Sequence, residues 1–80
     1  MIRIDARGMR CPWPALKLAR ALREGAAIVE VRADDPQAPA ELARVADHAN
    51  ATIATIADQF GSTFVVTAQG HRNTVFTQSA

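Results

Sequence analysis

Apolar and polar residues alternate at the start of the chain, where Ile2 and Ile4 stand against Arg3 and Asp5. That period of two predicts a β-strand with one wet face. After a loop over residues 6–11 the period changes. Ala15, Leu18, Ala19 and Leu22 recur at helical spacing and predict a helix running to about Arg23, with Gly25 placed as its terminator. Alternation returns over Ala27–Ala33, with Val29 and Val31 against Glu30 and Arg32. Asp34-Asp35-Pro36 then reads as a helix start, Asp35 as cap and Pro36 as first helical residue. This second helix extends to about Asn50, a candidate left-handed terminator, with Ala38, Leu42, Val45, Ala46 and Ala49 on one side. Thr52–Ala57 predicts a third strand, Asp58–Ser62 a turn, and Thr63–Ala68 a fourth strand with Phe64, Val66 and Ala68 on one face.

The alternation decides the architecture. A sheet covered on both faces would carry continuously apolar strands, whereas the first two strands here alternate charged and apolar residues. The expected fold is α+β: a two-layer α/β sandwich in the order βαβαββ, with a mixed four-stranded sheet and two helices on one face. The last two strands form an antiparallel hairpin, and the helix-linked strands are expected as parallel neighbours. Residues 70–80 read as a tail in which Thr74–Thr77 either adds a short edge strand or stays loose. Eighty residues make one domain, 1–80, that buries only about 60% of the surface its unfolded chain exposes.

Composition narrows the function classes. Apolar residues are 49% and charged residues 21%, a globular balance. A formal charge of +1 gives no bulk attraction to nucleic acid or anionic membrane, so neither is expected as a direct partner. No apolar run approaches the ~20 residues of a membrane span, and the charged N-terminus lacks a signal-peptide core. The single cysteine permits no internal disulfide. A cytoplasmic domain is the expectation.

That cysteine is the candidate chemistry. Cys11 lies in Arg10-Cys11-Pro12-Trp13-Pro14, at the junction of the first loop and the first helix. Pro12 and Pro14 restrict the residues before them to extended backbone, and either is suited to be the first helical residue. In both registers the sulfur sits within a turn of the positive helix end, where free N–H groups and Arg10, with Arg7 as a second candidate, favour a thiolate or a persulfide anion. A lone cysteine is more often a small buried hydrophobe than a nucleophile; Arg10, the polar loop and the rigid proline frame shift the balance until the two readings stand level. No second cysteine exists to resolve a mixed disulfide, so dithiol exchange within the chain is excluded. His48 and His71 read as surface residues, and no metal site or cofactor is expected.

These residues resemble a known family. Arg10-Cys11-Pro12-Trp13-Pro14, preceded by Asp5 and Gly8 and followed by Leu16-Lys17, is similar to the Cys-Pro-x-Pro signature of the TusA/SirA sulfur carriers. Ala33–Leu42 is similar to that family's second landmark, and the resemblance covers about residues 2–69. It implies a two-layer sandwich like the C-terminal domain of translation initiation factor three. It also implies that Cys11 accepts sulfane sulfur as a persulfide from a cysteine desulfurase or rhodanese and passes it to a cysteine on an acceptor protein. Destinations across the family include tRNA thiolation, molybdenum cofactor maturation and sulfur oxidation. This chain departs from the pattern in the bulk of Trp13, in Asn50-Ala51 where glycine is common, and in a longer tail.

Other residues carry two readings each. Trp13 is either a docking anchor beside the sulfur or a staple packed on its own domain, the latter slightly favoured. Leu16, Lys17 and Arg20, with Arg23, form either a guide for an acidic partner or a solvated helix face. Asp34 and Asp35 read as cap and turn residues rather than an acid–base pair. The competing function is a non-catalytic interaction or regulatory module in which Cys11 is incidental. An RNA-binding domain, suggested only by fold analogy, lacks a basic and aromatic sheet face.

Overall fold

A computed structural model describes residues 1–59 and 61–68. Six elements follow in chain order: β1 (Ile2–Asp5), α1 (Trp13–Arg23), β2 (Ile28–Ala33), α2 (Ala38–His48), β3 (Ala51–Asp58) and β4 (Gly61–Ala68). The sheet order is β1-β2-β4-β3. β1 and β2 pair in parallel, as a helical crossover requires, and β3 and β4 form the expected antiparallel hairpin. The expectation of parallel neighbours fails for β2 and β3. They run in the same direction, but β4 folds back between them and pairs antiparallel with β2 from Ile28↔Thr67 to Ala33↔Ser62. The fold is the α+β two-layer sandwich anticipated, with the apolar face of the sheet under both helices.

The core is small and specific. Leu18 of α1, Leu42 of α2, Val29 and Val31 of β2, and Phe64 and Val66 of β4 are fully or almost fully buried. Ala6, Ala21, Ala33, Ala38 and Ala46 fill the spaces between them. The buried stripe on α1 is Pro14, Ala15, Leu18 and Ala21, so Ala19 and Leu22 of the predicted stripe lie at its margin. On α2 the stripe is Ala38, Leu42 and Ala46, with Val45 half-buried and Ala49 exposed. Ala19, Leu22, Val45 and Ala49 instead line an open groove between the two helices, which leaves them at the margin of the core.

Element ends correct three further expectations. α1 begins at Trp13, with Pro12 outside and Pro14 second in the helix, so neither proline is the first helical residue. α2 begins at Ala38, two residues later than the Asp35–Pro36 start, with Pro39 in its first turn. The β3–β4 turn is tighter than Asp58–Ser62, since Asp58 already pairs with Gly61. The predicted terminators hold. Gly25 has φ +96° and Asn50 has φ +54° just after their helices, the left-handed conformation that glycine adopts freely and asparagine tolerates. The tail with its candidate strand Thr74–Thr77, and His71, lie outside the described residues.

Candidate functional site

Cys11 lies in the loop between β1 and α1 and is partly exposed. Its peptide bond to Pro12 is cis. The loop is held from the far side of the sequence. Asp34 Oδ1 accepts the Gly8 N–H at 2.9 Å, and Asp35 Oδ2 accepts the Cys11 N–H at 2.9 Å. Asp35 Oδ1 meanwhile accepts the Gln37 N–H at 2.8 Å, closing an Asx turn just before α2. Asp35 therefore does not cap α2. Its two oxygens join the cysteine loop to the turn that leads into that helix. Because β1 and β2 are parallel neighbours, their C-terminal ends lie side by side, and the loops that leave them meet.

Charge around the loop is already organised. The Arg7 guanidinium grips Asp5 through Nε and Nη2, both at 2.8 Å, and the Arg7 amide also reaches Asp5. These contacts hold the Asp5 carboxyl well below the usual carboxylate range and raise Arg7 above its ordinary value. Arg7 is thus engaged with Asp5. Asp35 is also lowered, first by the Gln37 amide, then by the Cys11 amide, with the Arg10 charge adding to both. Arg10 faces this carboxylate as well as the loop that carries the thiol.

The positive helix end is less open than the sequence implied. The Trp13 N–H donates to the Arg10 carbonyl at 2.8 Å and the Leu16 N–H to the Pro12 carbonyl at 3.0 Å. Pro12 and Pro14 have no N–H to offer. Ala15 is left as the amide of that turn without a backbone acceptor among the described residues.

The four docking candidates come together. Trp13, Leu16, Lys17 and Arg20 sit at i, i+3, i+4 and i+7, one face of α1. They line a groove of about 550 Å³ whose other wall is β1. Trp13 is 58% exposed and Leu16 51%, which corrects the favoured reading of Trp13 as a staple packed on its own domain. Three contributors were missed. Asp34 and Asp35 appeared only as cap and turn residues, because their partners lie 26 and 24 positions away. Ile2 appeared only as an inward strand residue, yet it is 39% exposed beside Trp13's groove. The consecutive aspartates before a proline were the one signal available, since such side chains commonly bond nearby amides.

Among the described residues no cluster of three or more His, Cys, Asp or Glu is placed to hold a metal ion, and His48 is exposed on α2. No helix among them is long and apolar enough to cross a membrane.

A lone, partly exposed thiol in a braced loop, at the start of a helix on a one-sided sheet, defines a single-cysteine α+β domain. Residues 2–70 match the model of the sulfurtransferase TusA family, and the chain belongs to that family. It is also similar to the crystal structure of a SirA-like protein from Desulfitobacterium hafniense, with 30% identity and a TM-score of 0.76. That likeness covers 89% of this chain and all of the other. Comparison with curated protein sequences finds no match.

Proposed function

We propose that this protein is a sulfur carrier that accepts sulfane sulfur on Cys11 as a persulfide and relays it to a cysteine of an acceptor protein. The observation that carries the reading is the setting of Cys11: the chain's one thiol, partly exposed, with its own amide fixed by Asp35 and its flanks fixed by Pro12 and Pro14. Membership of the TusA family supports it.

The chemistry balances without an oxidant. The Cys11 thiolate attacks the terminal sulfur of a donor persulfide; the donor's S–S bond breaks and the donor leaves as a thiolate. The acceptor thiolate later attacks the terminal sulfur on Cys11 and releases it in the same way. With no resolving cysteine in the chain, the loaded carrier has no internal route of discharge. Arg10, Pro12 and Pro14 support the site by charge and by backbone restriction. Trp13, Leu16, Lys17 and Arg20 are where partners dock. The donor is a cysteine desulfurase or a rhodanese, in the cytoplasm, and the relay is of the tRNA thiolation, molybdenum cofactor or sulfur-oxidation type.

The test is intact mass after mixing the protein with a cysteine desulfurase and free cysteine, wild type beside Cys11→Ser. A gain of one or more sulfur atoms (~32 Da each), confined to the wild type and reversed by reductant, is expected. The same experiment with a rhodanese and thiosulfate covers the second donor class. No gain with either donor would leave Cys11 incidental and the chain an interaction module.

A further inference from the structure

We infer that the groove between α1 and β1 seats the sulfur donor, which lays an extended segment along the outer edge of β1. This inference rests on the carrier reading. All four residues of β1 line the groove, so it runs the full length of the strand. β1 ends the sheet, and among the described residues no strand pairs with its outer side. The Ala6 N–H donates to the Arg32 carbonyl, in continuation of the β1–β2 ladder. In a parallel ladder that phase turns the peptide groups of Ile4 toward β2 and those of Arg3 and Asp5 outward. The outer edge therefore offers two residues' worth of unpaired N–H and C=O groups, the template on which a partner's strand is added.

The opposite wall specifies what the segment carries. Exposed Trp13 and Leu16 of α1 sit across from Ile2, a concentration of large apolar surface beside the cysteine loop. Arg20 is held by Glu24 at 3.0 Å and Arg3 by Glu30 at 3.2 Å. Lys17, beside Leu16 on the same face, has no carboxylate within ion-pair distance among the described residues. The fitting occupant is an extended segment with apolar side chains toward Trp13 and Leu16 and a carboxylate for Lys17. Alternating side chains along a strand deliver that arrangement while the backbone pairs with Arg3 and Asp5. Met9, in the cysteine loop, lines both this groove and the cleft that contains Cys11, so a donor seated here borders the loop that carries the thiol.

The edge is tested with Arg3→Pro. Proline removes one of the two outward-pointing N–H groups and leaves the β2 pairing intact, as an edge strand tolerates. Arg3→Ala is its control for lost charge. Leu16→Asp tests the apolar wall without touching the core. Sulfur transfer to each variant is followed by intact mass over a range of concentrations of whichever donor loads the wild type. Cys11 alkylation by iodoacetamide reports that the thiol itself is unchanged. The expected result is a rise on the order of tenfold or more in the half-saturating donor concentration for Arg3→Pro and Leu16→Asp. Arg3→Ala stays within about threefold, and alkylation rates are equal throughout. Half-saturation unchanged in both variants overturns the inference while the carrier reading stands. A wild type that is a dimer in sedimentation, and a monomer with Leu16→Asp, assigns the groove to a second copy and overturns it too. Absence of loading in the wild type overturns the carrier reading and this inference with it.

Discussion

Leu18→Ala separates the core that holds α1 from the brace that holds the thiol. Leu18 is fully buried and stands on the same helix as the exposed Trp13 and Leu16. Truncation removes about three buried carbons, each worth ~0.8 kcal/mol of transfer free energy. The space left behind lies where α1 packs on α2, β1 and β2, and the β1–β2 backbone pairing limits collapse. At ~24 cal/mol per Å³, a residual cavity of up to roughly 60 Å³ adds about 1.5 kcal/mol. The expected loss is thus about 2.5–4 kcal/mol. An 80-residue domain has only about 4–12 kcal/mol of stability to lose. Urea unfolding followed by far-UV circular dichroism measures the change directly, and the thermal midpoint should fall by on the order of 10–30 °C. Cys11 alkylation, measured well below the new midpoint, should keep its wild-type rate, because the loop is fixed by Asp34 and Asp35 rather than by Leu18. A stability loss under about 1 kcal/mol would refute the packing argument. Altered alkylation in the folded variant would refute the independence of the loop.

Two other perturbations follow from the same structure. Asp35 is held below its ordinary carboxyl value of 3.8, so it contributes stability at neutral pH that begins to fall near that value and is lost as pH drops through the folded value. Acid titration of Asp35→Ala should therefore show a shallower decline over that window than the wild type. Asp35→Asn should retain only part of the brace, since an amide offers one acceptor where two N–H groups require two; identical acid profiles for all three proteins would count against the brace. Asn50, at φ +54°, should accept glycine without loss, whereas Asn50→Val should cost about 1–2 kcal/mol in urea unfolding.

Most of the fold was legible because its signals are local. The alternation of β1 and β2, the helical spacing of Leu18 and Leu42, and the terminators Gly25 and Asn50 each sit within a few residues of the structure they specify. The place of β4 between β2 and β3 was not legible, since a hairpin pattern fixes which strands pair at the turn and not which edge they join. The helix starts slipped because Pro12, Pro14, Pro36 and Pro39 all satisfy the same preference for a helix beginning. In the site, Cys11 and the α1 face were visible as motif and spacing. The carboxylate brace was not, because it links positions far apart whose proximity exists only once β1 and β2 have paired. Exposure of Trp13 is likewise a property of the packed molecule: Ala15, Leu18 and Ala21 occupy the inner side of α1 and leave the indole outside.

The shared carboxylate of Asp35 has a mechanical consequence. The amides of Cys11 and Gln37 hang on one side chain, and the next residue back, Asp34, holds Gly8. Pulling the thiol outward strains the approach to α2, and fraying of α2 slackens the thiol. Coupled through these hydrogen bonds, the two segments should open together. A force that draws Cys11 out of its loop works against the second helix as well as the first. A ligand or substitution that stiffens the beginning of α2 should therefore change the alkylation rate of Cys11 at the beginning of α1.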